Sequence, residues 1–81
     1  MTTKKREAIV ACAMRLMDAY DNWLDVEYED EYNDARKEYN WRLRYLSELT
    51  GISQFTLASA LENQDGVTYN LDWLRNLGVE V

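Results

Sequence analysis

Proline and histidine are absent from the 81 residues, and glycine occurs only at Gly51, Gly66 and Gly78. The first fifty residues therefore contain neither of the two strongest helix breakers, which predicts long helices there. With no histidine, no glycine-rich phosphate loop and no Cys-x-x-Cys pair, the chain lacks the usual carriers of metal, nucleotide and redox chemistry. Cys12 is the single cysteine, so no disulfide forms within the chain; a reducing cytoplasm is the expected setting. A lone thiol on an apolar helix face reads as a small packing residue. No apolar run approaches the ~20 residues that cross a bilayer, so no membrane association is expected. The basic and then apolar start, MTTKKREAIVACAMRLM, is interrupted by Arg15 and Asp18 and reads as a helix of the mature protein.

What is present is enough for one small core: 47% of residues are hydrophobic, with six tyrosines, three tryptophans and one phenylalanine. Residues 1–81 make a single domain. A domain of this size buries a modest share of its surface, so a homodimer is expected. The fold class is all-α, a small bundle of four to five helices. Residues 1–39 supply an N-terminal helix or helical hairpin, and residues 40–78 a helix-turn-helix with a closing helix.

Ile9, Ala13, Leu16, Tyr20 and then Trp23 or Leu24 recur at helical spacing, which makes residues 4–24 an amphipathic helix capped by Thr2 or Thr3. Lys4, Lys5 and Arg6 put cations at the positive end of that helix's dipole, an unfavourable place unless an anion is near. From Asp25 to Asp34 the chain is acidic, and the pairs Glu27/Glu31 and Asp30/Asp34 repel across one helical turn. Tyr28, Tyr32, Ala35 and Tyr39 nevertheless carry the stripe onward. Either the chain turns near Asp21 to Glu29 to make a hairpin, or one helix runs through and pairs with a second copy. The hairpin is favoured because it gives a monomer a core.

Beyond Asp34 the sign changes, with Arg36, Lys37, Arg42 and Arg44 against Glu38 and Glu48. Glu38/Arg42 and Asp34/Lys37 have the spacing of helix surface pairs. Asn40 is a candidate cap for a separate helix starting at Trp41. Tyr39, Leu43, Leu46 and Leu49 form the buried stripe, with Trp41 and Tyr45 off it. After Leu61, Glu62 to Gly66 reads as a polar loop. A short helix is expected over about Asn70 to Leu77, burying Leu71, Leu74 and Leu77 beside Trp73 and stopped by Gly78. Val79 to Val81 reads as a frayed tail or a short strand.

The most specific stretch is Leu46 to Leu61, LSELTGISQFTLASAL. Gly51 suits a left-handed helix stop, Ser53 suits an N-cap, and Leu57 and Leu61 give the next helix an apolar stripe. Ser47, then Gly51-Ile52-Ser53, then Gln54 and Phe55, then Thr56-Leu57-Ala58 resemble the helix-turn-helix units of small phage and bacterial repressors, of both the Cro or lambda-repressor type and the lac-repressor type. Ser47 stands where those families prefer alanine, and Ala58 where a serine often meets phosphate. Leu77-Gly78-Val79 is also similar to the close of Cro-like domains.

The resemblance implies a small phage or mobile-element regulator that binds duplex DNA as a dimer. Gln54, Phe55 and Ser59 would face the bases, and Ser53, Thr56 and Asn63 the phosphates, with charge from Arg42 and Arg44. The balance of charge opens another reading. The net charge is −6, and residues 21–34 hold seven acids and no base. Carboxylates interleaved with tyrosines on a helix can imitate a phosphate backbone. Glu27, Glu29, Asp30, Glu31 and Asp34, with Tyr28 and Tyr32, would then meet a host nucleic-acid enzyme such as a nuclease, a defence complex or RNA polymerase, with no DNA bound. No catalytic residue, cofactor or metal is expected in either case. The run from Asp25 to Glu31 lacks the glycine of a calcium loop, and like charges in a run imply exposure rather than a catalytic pocket.

Overall fold

A computed structural model describes residues 2–64 and 70–81, and the regular structure among them is entirely helical. Four helices follow in order: α1 (Thr3–Asp25), α2 (Glu29–Thr50), α3 (Gln54–Glu62) and α4 (Asp72–Arg75). α1 and α2 form an antiparallel hairpin, α3 packs on α2, and α4 packs on α3. The molecule is elongated, 41 Å on its long axis and 23 and 19 Å across. No described helix is long and apolar enough to cross a membrane.

The hairpin follows from where the stripes run. α1 starts with Thr2 as its cap, the Thr2 hydroxyl accepting the Lys5 N–H at 3.2 Å. It buries Ile9, Cys12, Ala13, Leu16, Met17 and Ala19. At its end Trp23 packs on the core while Leu24 turns out to solvent. The chain reverses through Val26 to Tyr28, within the expected span. α2 then lays Ala35, Tyr39, Leu43 and Leu46 along α1. Each fully buried leucine or isoleucine in this seam, such as Ile9, Leu16 and Leu46, stabilises the fold by about 1.5–3 kcal/mol.

Two sequence expectations need amendment. No helix starts at Trp41: α2 passes through Asn40 without a break, because the stripe Ala35–Tyr39–Leu43–Leu46 keeps one phase against α1 and Asn40 lies on the solvent side. Glu27 lies before α2, so its pairing with Glu31 is not one across a helical turn. Glu29, Asp30 and Glu31 occupy the first turn of α2, where the positive end of the helix dipole favours them.

Gly51 ends α2 with φ +74°, a left-handed conformation that side-chain-bearing residues adopt at a cost. Hydroxyls pin the turn that follows. Ser47 donates to the Ile52 carbonyl at 2.6 Å; Thr50 donates to the Leu46 carbonyl at 2.9 Å and accepts the Ile52 N–H at 3.2 Å. Ile52 folds against the core, and α3 adds Leu57 and Leu61 to it.

The polar loop expected after Leu61 begins at Asn63, and its Asp65 and Gly66 lie outside the described residues. The closing helix is shorter than the sequence suggests, with Trp73 and Leu74 buried and Leu71 and Leu77 partly so. Gly78, at φ +89°, reverses the chain so that the Val79 N–H reaches the Leu74 carbonyl at 3.1 Å. Val79 is buried there, as neither a frayed end nor a strand.

Candidate nucleic-acid interface

α3 begins with a tight cap. The Ser53 hydroxyl accepts the Thr56 N–H at 3.2 Å and donates to the Thr56 hydroxyl at 2.8 Å. The two hydroxyls thereby occupy each other, yet Thr56 keeps its own proton to donate outward. Gln54, Phe55 and Thr56 are exposed, and Phe55 at 81% is the most exposed large apolar side chain among the described residues. Leu57 and Leu61 pack inward, so Phe55 stands apart from the buried stripe of its own helix. Ser59 is half-buried, one turn further along. Asn63 is exposed at the far end, where its N–H caps α3 on the Ser59 carbonyl at 3.1 Å.

The arginines assigned to phosphate are already engaged. Arg42 Nε lies 3.0 Å from Glu38 Oε1, and its guanidinium carbon sits 4.4 Å from the centre of the Trp41 ring. Trp41 stacks in turn on Tyr45, with centroids 6.2 Å apart and planes 16° from parallel. Arg44 Nε is 3.7 Å from Glu48 Oε1. Both ion pairs link one turn of α2 to the next on its surface. Asp34 and Lys37, the other expected pair, form no bridge.

A cationic cluster distant from this surface in sequence lies at the same end of the hairpin as the turn into α3. The Cys12 thiol points at the Arg42 carbonyl, 3.8 Å away, and this approach sets the register of the hairpin. Counting back along α1 and forward along α2, residues 4–6 lie level with residues 48–50. Lys4, Lys5 and Arg6 therefore stand at the end of the molecule where Gly51 turns the chain into α3. All are exposed, and no ion pair holds them among the described residues. Sequence spacing could not reveal this, because more than forty residues separate the cluster from the turn. The only signal in the sequence is that their place on the helix is electrostatically wrong.

The acidic residues gather at the opposite end. Glu27, Glu29, Asp30, Glu31 and Asp34 are exposed and unbridged among the described residues. Tyr28 is 68% exposed, whereas Tyr32 leans onto Trp23 with centroids 5.8 Å apart. The seven residues proposed for this face therefore lie together, but Tyr32 belongs half to the core. Deeper in, Tyr39 packs against Trp23 and Tyr20 at 5.2 and 5.5 Å. Its phenol is pushed well above the ordinary range, first by burial and then by the negative charge of Glu62. The Tyr39 hydroxyl and the Trp23 indole N–H, both buried, have no hydrogen-bond partner among the described residues.

Nothing in this arrangement resembles a metal centre: no three carboxylates or thiols among the described residues converge on one point. The Cys12 thiol is raised above its ordinary pKa, chiefly by burial, and is therefore held uncharged at the helix seam. Compared with protein-family models, with curated proteins and with solved structures, the chain matches none.

Proposed function

We propose that the chain is a small helix-turn-helix regulator that binds duplex DNA as a dimer, with α3 as the reading helix. The observation that carries this reading is the start of α3. A left-handed glycine and a serine cap start α3 with Gln54 and a solvent-exposed Phe55, following the end of the hairpin where α2 finishes and α1, with Lys4, Lys5 and Arg6, begins. Gln54 has the donor and acceptor pair that adenine offers in the major groove, and Phe55 suits a thymine methyl. Thr56 and the basic cluster supply phosphate contacts. Ser59, being half-buried, contributes at the edge of the interface, and Asn63 lies too far along α3 to share a phosphate with Ser53. One copy offers few cations, so two copies on two half-sites account for useful affinity.

Fluorescence polarisation against a pool of duplexes at low salt tests the reading. Retention is expected, with selection of a preferred sequence. Phe55→Ala should weaken binding about tenfold while changing stability by less than about 0.5 kcal/mol, as suits an exposed residue. No retention at tens of micromolar protein and low salt, where even non-specific binding is strengthened, abandons it. Sedimentation of the complex should give two copies per site.

A second reading rests on a different observation, the unbridged carboxylates at the opposite end. There the acidic face would meet the basic channel of a nucleic-acid enzyme in place of DNA. Pull-down from a bacterial lysate, compared with a Glu29→Gln/Asp30→Asn/Glu31→Gln variant, tests it: unchanged recovery of the partner sinks the idea.

A further inference from the structure

At the acidic end three helices border an open recess of about 310 Å³, lined by Tyr20, Trp23, Leu24, Val26, Tyr32 and Glu62. The indole of Trp23 packs against three tyrosines, of which Tyr39 is nearest at 5.2 Å and lies outside the recess lining. Tyr20 stands 6.4 Å from the indole with ring planes inclined at 68°, and Tyr32 stands 5.8 Å from it with planes at 59°. Glu62, from the last turn of α3, brings a carboxylate to the same recess. Its charge is felt there, adding to burial in raising the Tyr20 phenol. Aromatic faces are negative, so rings inclined around a space beside a carboxylate attract a cation and reward one that is weakly hydrated. A planar guanidinium suits such walls better than an ammonium.

We propose that this recess takes an arginine side chain from a basic segment of a partner protein. The surroundings argue for a segment over a free cation. Val26 and Tyr32 adjoin a turn and a first helical turn that carry Glu27, Glu29, Asp30 and Glu31, and Leu24 and Tyr28 are exposed beside them. A single small cation leaves those groups uncovered, whereas a chain with further basic residues meets them with opposite charge. The proposal extends the second reading above but uses other atoms, and it is independent of whether α3 meets DNA.

The test is a titration of the full chain with tri-arginine amide, followed through the three indole N–H signals by NMR and assigned with Trp→Phe variants. The expected result is a saturable shift of the Trp23 signal, with the Trp41 signal reporting any binding elsewhere. Glu62→Gln and Tyr32→Leu should each weaken binding about threefold to tenfold, and Tyr32→Phe, which keeps the aromatic face, should leave it unchanged. If the peptide binds with Trp23 silent, and only Glu29→Gln/Asp30→Asn/Glu31→Gln abolishes it, the recess is overturned and the acidic surface stands. If the peptide does not bind at all, both fall. N-acetyl-arginine amide binding as tightly as tri-arginine would overturn the choice of a protein segment.

Discussion

α1 and α2 are neighbours of nearly equal length, 23 and 22 residues, but their charges relate to their dipoles in opposite ways. α2 opens with Glu29, Asp30 and Glu31, which its positive end favours. α1 opens with Lys4, Lys5 and Arg6, has no acid in its first turn, and finishes with Asp21 and Asp25 and no base. Charges that agree with a helix need no further explanation. Those of α1 oppose theirs at both ends. Because the helices run antiparallel, the consequence is a segregated hairpin: the cations of α1 at the end where α2 finishes, carboxylates from both helices at the other end. The segregation, rather than the stability of α1, is what the placement achieves.

The strongest way to break the comparison is to detach α3 from the basic end. Leu57 is fully buried, so Leu57→Ala should cost about 2–5 kcal/mol and lower the urea midpoint accordingly. A loss under about 1 kcal/mol would show that α3 is not anchored there. Gly51→Ala is next. No atom lies near enough to obstruct the added methyl, so the expected cost of about 1–2 kcal/mol comes from the left-handed backbone alone. Gly78→Ala, which is equally unobstructed, should cost a similar amount and compares the same backbone effect at the turn after α4.

Neutralising the misplaced cations sharpens the comparison most directly. Lys4→Gln/Lys5→Gln/Arg6→Gln should stabilise α1 by about 1 kcal/mol in total and raise Tm by several degrees. The same variant should bind DNA more weakly, with a salt dependence shallower by about 0.9 for each phosphate it no longer neutralises. Stability and binding moving in opposite directions is the signature; a drop in both contradicts the account of α1.

The smallest effect lies between the two ends, at Tyr39. Burial and Glu62 hold its phenol above the ordinary value of 10.0, so the unfolded chain gives up the proton first. Its contribution is complete below pH 10 and is lost as the pH rises beyond it. Tyr39→Phe should blunt this alkaline loss. It should also leave neutral-pH stability unchanged or better by about 1 kcal/mol, since it removes a buried hydroxyl with no partner among the described residues. Urea titrations at pH 7 and above pH 10 separate the two effects.

Much of this was legible from one sequence, and the reasons are local. Ile9 to Trp23 and Ala35 to Leu46 keep their apolar phase over several turns, so both long helices showed themselves. Gly51 and Ser53 did so too, because a left-handed stop and a cap have few alternatives. Asn40 misled because a polar residue in mid-helix resembles a cap when the turn-by-turn phase is ignored. The Glu38/Arg42 pair was legible from its spacing, whereas the pairing of Arg44 with Glu48 was not singled out although it has the same spacing. The two features that needed three dimensions stayed hidden. Lys4 to Arg6 share an end of the molecule with the turn before α3 only through the hairpin register, and Glu62 joins Trp23 and Tyr32 only through the packing of α3.

The unbroken course of α2 has a mechanical consequence. At 1.5 Å per residue its 22 residues make a strut of about 33 Å, with no proline or glycine inside it to bend. Whatever docks at one tip is held at a fixed stand-off from whatever docks at the other, so the two occupants need not compete for room.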